Sequence, residues 1–106
     1  MPTSKPILFP GQYILTNPLP ARSRCKAYTA PPPCGRYICT IEPNTHIGPI
    51  ERVIETEGFV TILCRSYWIN IWKAQGGEVD KGFLFARVIS REVSNNWCQL
   101  GWVHQP

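Results

Sequence analysis

Five cysteines and two histidines are the side chains of this sequence with the most chemistry to offer. The nucleophilic option they raise is a Cys–His pair. His46 and His104 lie far apart, and none of Cys25, Cys34, Cys39, Cys64 or Cys98 sits in a recognisable nucleophile context. His46 reads as a turn residue and His104 as part of a frayed end. Cys25, Cys34 and Cys39 are spaced without any C-x2-C pair, a pattern that argues against zinc. Cys64 and Cys98 read as small apolar core residues. An odd cysteine count in a chain without a visible leader leans toward a reducing compartment. On a strand, Glu51, Glu55 and Glu57 would share one face as like-charged neighbours, and a solvated acidic edge is the commoner fate of such a set. Gly76-Gly77 has neither the following Lys-Ser/Thr nor the helix start of a phosphate-cradling loop. These patterns predict neither catalysis nor a cofactor.

Binding chemistry is better represented. The chain carries four each of Trp, Tyr and Phe, and a domain of 106 residues cannot bury them all. Period-2 alternation puts Trp68 and Trp72 on one face of a strand, and Phe83 and Phe85 on the matching face of the next. Cross-strand packing of aromatics accounts for part of this set. The remainder, with nearby Tyr67, is expected to form an exposed patch that takes a protein or peptide partner. The three glutamates would ring it. A second candidate lies N-terminal. Lys5, Arg22, Arg24, Lys26 and Arg36 all precede the first acid, Glu42, whereas acids and bases nearly cancel afterwards. Arg22, Arg24, Lys26 and Arg36, interleaved with Tyr28 and Tyr37, have the residue types of a nucleic-acid surface. The isoelectric point of 8.9 is only mildly basic, so a solvated basic face is the plainer reading.

The elements that position these residues must be short. Eleven prolines and eight glycines are too many for long helices, because proline removes a donor and glycine loosens the backbone. Most of the prolines fall within residues 1–33, read as a Pro-rich arm over residues 1–23 containing one strand, Gln12 to Thr16, and then the run Pro31-Pro32-Pro33. Strand signals follow at Tyr37 to Ile41 and most clearly at Phe59 to Cys64 and Tyr67 to Lys73. Ile50 to Glu57 fits either a strand or a helical turn. Ala74 to Gly82 is predicted as a hairpin loop, Phe83 to Ile89 as the returning strand, and Trp97 to His104 as a last one. Roughly five or six short strands joined by turns imply an all-β domain, a small barrel or a sandwich. No apolar run approaches the length needed to span a bilayer.

The succession Thr29-Ala30-Pro31, Gly35-Arg36-Tyr37-Ile38, Thr40-Ile41-Glu42-Pro43-Asn44-Thr45, Phe59-Val60-Thr61-Ile62-Leu63, Tyr67-Trp68-Ile69-Asn70-Ile71 and Gly82-Phe83-Leu84-Phe85-Ala86 resembles the bacterial SH3 domain family. The resemblance covers some two-thirds of the chain, from Arg24 to Ile89. It implies a small SH3-like barrel over residues 24–106 with a C-terminal extra strand. The closing Gly-aromatic element has two candidates, Gly82-Phe83 and Gly101-Trp102-Val103-His104. Family members bind cell-wall peptides or other proteins. The resemblance therefore implies a non-catalytic protein- or peptide-binding module, a free-standing adaptor or an inhibitor of a larger machine. Peptidoglycan binding is one alternative, and nucleic-acid binding through the basic third is the other. The expected state is a monomer or an edge-paired dimer, cytoplasmic unless a signal peptide was removed.

Overall fold

The computed structural model describes residues 3–16, 25–56 and 58–89. Among these the chain is all β, without a helix. Nine strands follow in order: β1 (Tyr13–Thr16), β2 (Lys26–Tyr28), β3 (Tyr37–Thr40), β4 (His46–Ile47), β5 (Arg52–Thr56), β6 (Phe59–Cys64), β7 (Tyr67–Gln75), β8 (Glu78–Leu84) and β9 (Ala86–Ile89). They form a six-stranded sheet, ordered β3-β2-β7-β6-β5 with β8 also on β7, and a three-stranded sheet ordered β4-β1-β9. Every pairing is antiparallel.

Alternation builds the centre of the large sheet. On β6, Val60, Ile62 and Cys64 point into the core and are fully buried. Their β-branched neighbours suit a pleated surface that must pack on both sides. Strand β7 runs back along β6 with Cys64 opposite Tyr67, Ile62 opposite Ile69 and Thr61 opposite Asn70, but Val60 then meets Trp72. Ile71 is the extra residue of a β-bulge, which reverses the alternation beyond it. Ile69, Ile71 and Trp72 are all buried as a result.

The two sheets share chain at two bends. Strand β8 lies on β7 as far as Leu84, Phe85 N–H donates to Ile71 O at 2.8 Å, and β9 then pairs with β1. On the other side β4 pairs with β1, and Ile50 N–H donates to Gln12 O at 2.9 Å. One residue on, Glu51 N–H donates to Leu63 O at 2.8 Å and β5 joins β6. The core joins Ile14 and Ile47 of the small sheet with Val60, Ile62, Ile69 and Trp72 of the large one, and Ile41 and Ile50 from the connecting segments are buried with them.

The Pro-rich arm is part of this architecture. Its strand β1 is the centre of the small sheet, pairing with both β4 and β9. Ahead of it, Thr3 and Gly82 exchange backbone hydrogen bonds of 2.6 and 2.8 Å, and Trp72 Nε1 donates to Thr3 O at 3.3 Å. Lys5 pairs with Glu55 at 3.6 Å, a half-exposed contact worth little by itself, and Leu8 is buried. Gly82 has to be glycine here, because a Cβ would strike Lys73 O and the Trp72 ring.

Several boundaries differ from the sequence reading. Within the stretch from Ile50, Arg52–Thr56 is a strand, Glu57 lying outside the described residues, and the 74–82 loop contracts to the Gly76-Gly77 turn, with β8 already formed from Glu78. The run from Phe83 to Ile89 is two strands, because Phe85 marks the bend between sheets. Trp97 to His104, with Cys98 and the second closing candidate, lies outside the described residues.

The β6–β7 hairpin is closed by two residues, Arg65 and Ser66, with φ of 54° and 73°. Both values belong to the primed turn whose twist matches the flanking strands, and that turn prefers Asn-Gly. Left-handed backbone costs an L-residue roughly 1–2 kcal/mol. Replacing Arg65 by Asn together with Ser66 by Gly is therefore expected to raise unfolding stability by about 1–2 kcal/mol. Urea denaturation of the double variant checks this, and an unchanged or lower midpoint contradicts the strain.

Candidate binding face

The same register that fills the core assigns the outer face of the six-stranded sheet. Opposite partners across antiparallel strands share a face. Tyr37 on β3 is opposite Tyr28 on β2, Tyr28 is opposite Trp68 on β7, Trp68 is opposite Leu63 on β6, and Leu63 is opposite Arg52 on β5. These five side chains form one row across the sheet. At ordinary strand spacing the row is about 19 Å long.

The row is knit together. Tyr28 and Tyr37 meet edge to face, with centroids 6.1 Å apart at 72°. The Arg52 guanidinium reaches over Leu63 to stand 5.8 Å from the Trp68 ring centroid, within cation–π range. Tyr37 Oη and Thr40 Oγ1 lie 2.6 Å apart, which fixes the Tyr37 ring. Burial raises the Tyr28 hydroxyl pKa above its ordinary value, with the neighbouring Tyr37 adding to the shift, so this hydroxyl stays protonated and able to donate. Tyr37 is 57% exposed, whereas Tyr28 and Trp68 are half-buried.

Alternation puts Lys26 beside this row on β2 and Asn70 beside it on β7. Thr61 Oγ1 donates to Asn70 Oδ1 at 2.8 Å, so the Asn70 amide oxygen is engaged while its NH2 group retains its donors. Further down the face Lys73 is opposite both Phe59 and Phe83, and Phe83 is 44% exposed. Arg36 is exposed next to Tyr37, and the Arg65-Ser66 turn lies at the end of β6 and β7 nearest Trp68. None of the described outward side chains of β2, β3, β5, β6 and β7 is acidic, whereas β8 sets Glu78 opposite Gln75 at the far end of β7 from Trp68.

The glutamates lie elsewhere. Glu55 is opposite Val60, hence on the other face of the sheet, and is paired with Lys5. Glu51 Oε2 accepts a hydrogen bond of 2.8 Å from Arg65 N–H. Glu57 lies outside the described residues. The acidic ring expected around an aromatic patch is not formed by Glu51 and Glu55.

The expected patch is itself divided. Trp68 and Phe83 are on the outer face. Trp72 is fully buried on the inner one, while Tyr67 and Phe85 pack partly buried against the core. Strict alternation failed because Ile71 bulges between Trp68 and Trp72, and because the chain bends at Phe85. Of the alternative basic set, Lys26 and Arg36 belong to the outer-face region, and Arg22 and Arg24 lie outside the described residues. Arg52 was not singled out from the sequence, and only its register with Leu63 brings it to Trp68.

Two thiols are sealed in the core. Cys25 Sγ donates to Phe85 O at 3.2 Å, and desolvation pushes its pKa strongly upward. Cys64 is pushed up to about 11, chiefly by burial and then by the Glu51 charge. Comparison with known protein families, with curated proteins and with solved structures gave no match.

Two outcomes follow. Trp72→Ala is expected to lose about 3–5 kcal/mol of stability and Trp68→Ala about 1 kcal/mol. Equal losses in urea titrations would contradict the opposite placement of the two rings. The buried thiols set a pH dependence as well. Unfolded, each ionises near 9, and folding holds the proton on until higher pH, about 11 for Cys64. Their stabilising contribution is whole below pH 9 and falls above it, by up to about 1.4 kcal/mol per thiol per pH unit. Under reducing conditions the urea midpoint should drop between pH 9 and 11, and drop less in Cys64→Ala. An identical decline in that variant would contradict the linkage.

Proposed function

We propose that this chain is a non-catalytic binding module, built on an SH3-like barrel, that takes an extended partner chain across the outer face of its large sheet. The row Tyr37–Tyr28–Trp68–Arg52 carries this reading, because it sets three rings and a guanidinium in line over adjacent strands. Aromatic and arginine side chains dominate binding surfaces, since they offer large contact area and directional donors for little lost entropy.

The barrel reading is supported by the two bends. Strands β8 and β9 carry one side of the large sheet into the small one through Phe85, and Ile50-Glu51 carries β4 into β5 on the other side. Strongly bent strands shared between two small sheets are what a partly open SH3-like barrel requires. The non-catalytic reading is supported by Cys25 and Cys64, held as buried neutral thiols, and by Glu51 and Glu55, each already engaged.

A protein or peptide segment, a peptidoglycan strand and a single-stranded nucleic acid are all extended chains of the kind such a face accommodates. The test uses three probes on the purified protein: a displayed random-peptide library, insoluble peptidoglycan, and labelled oligonucleotides. At least one is expected to bind saturably. Tyr37→Ala and Trp68→Ala should each weaken that binding about tenfold while leaving the far-ultraviolet dichroism unchanged. If no probe binds, or both variants bind as the native protein does, the outer face is not the binding surface.

A further inference from the structure

We infer that the partner chain is a single-stranded nucleic acid, its bases stacked on Tyr37, Tyr28 and Trp68 and its phosphates met by Arg36, Arg52 and Lys26. This rests on the reading of the outer face as the binding surface and names what occupies it.

Charge on the face favours an anion. Lys26, Arg36 and Arg52 border the aromatic row, Lys73 lies below it, and the outward side chains of β2, β3, β5, β6 and β7 near it are not acidic. The first acid on this face is Glu78 of β8, opposite Gln75 at the far end of β7 from Trp68. None of these four cations makes an ion pair among the described residues, while Glu55, on the other face of the sheet, is paired with Lys5. Glu51 precedes Arg52 in the chain, and one of its carboxylate oxygens accepts from the Arg65 backbone N–H. Arg52 stands over the Trp68 ring and carries no counter-charge there, and cations without an acidic partner beside part-exposed rings are those available to phosphate.

Geometry favours a single strand over a duplex. Base stacking needs flat rings that a splayed base can reach, and a duplex keeps its base faces covered. Tyr37, Tyr28 and Trp68 lie on three adjacent strands, about 10 Å from first to last, which suits consecutive bases laid across the sheet. The Tyr28–Tyr37 pair is edge to face, so its rings are not stacked face to face on each other. The Asn70 NH2 group beside Trp68 can donate to a base carbonyl, and Lys26 lies on the same side of the row. Nothing in this arrangement reads a defined base order, so binding should be tolerant of sequence, as aromatic platforms are.

Salt dependence separates this ligand from an uncharged one. Three phosphate contacts predict a slope of log K against log salt near about −2, since each contact on a single strand contributes about −0.7. The experiment is fluorescence anisotropy of labelled dT12 and rU12 with the full chain, from low to physiological salt. Saturable binding with that slope is expected. Trp68→Ala and Tyr37→Ala should each weaken it by about tenfold or more. Arg52→Gln should weaken it and make the slope shallower by about 0.7. Tyr37 is well exposed, so Tyr37→Ala tests the stacking role without loss of the fold. Binding of neither oligonucleotide, or binding indifferent to Tyr37, Trp68 and Arg52, overturns the inference. If the oligonucleotides fail while a displayed peptide or peptidoglycan binds and loses affinity in Trp68→Ala, the ligand assignment falls and the outer face stands as a binding surface. If no probe binds, both fall.

Discussion

Strand β7 holds Asn70 opposite Thr61 and Trp72 opposite Val60, so Ile71 between them has no partner on β6. That extra residue governs much of what the molecule offers. Before it, alternation sends Ile69 inward and Trp68 outward. Beyond it the phase is reversed, and Trp72 turns into the core beside Val60. A strand without the bulge would put both indoles on one side. It would remove the largest ring from the interior and leave a contiguous apolar stripe on the surface.

The buried indole organises one end of the fold. Its Nε1 needs an acceptor in a dry site and finds Thr3 O, so the start of the arm is tied to the core through a polar group. Thr3 is fastened by its backbone exchange with Gly82, whose missing side chain leaves room for the Trp72 ring. Core packing and the arm are thus one arrangement. The opposite face of the same strand carries Trp68, which the bulge leaves free to stack with Arg52 and to line up with Tyr28 and Tyr37.

The all-β class was legible from proline and glycine content and from the run Phe59 to Cys64, which is β6 with Val60, Ile62 and Cys64 buried, although Thr61 on the other face is buried as well. Strand β7 was legible in extent but not in phase, because a bulge has no composition signal when the extra residue is one more isoleucine. The bend at Phe85 was hidden for a related reason: no glycine or proline marks it, and it follows from Phe85 bonding to Ile71 before β9 leaves for the small sheet. Arg65-Ser66 was invisible as a tight turn, since neither residue favours positive φ. Tyr28 and Tyr37 stood out as aromatics among basic residues, yet their meeting with Trp68 and Arg52 is a matter of register across five strands. Local pattern does not encode register that far. The Pro-rich arm looked peripheral because its pairing partners, β4 and β9, come from distant sequence.

The most direct test of these assignments is nitrogen-15 NMR of the tryptophan indole groups, each resonance assigned by single substitution. The Trp72 indole N–H should exchange slowly with solvent and stay in place when an outer-face ligand such as dT12 is added. The Trp68 indole should exchange rapidly and shift progressively to saturation. A Trp72 resonance that exchanges fast and follows the ligand, with Trp68 unmoved, would contradict both the bulged register and the face built on it.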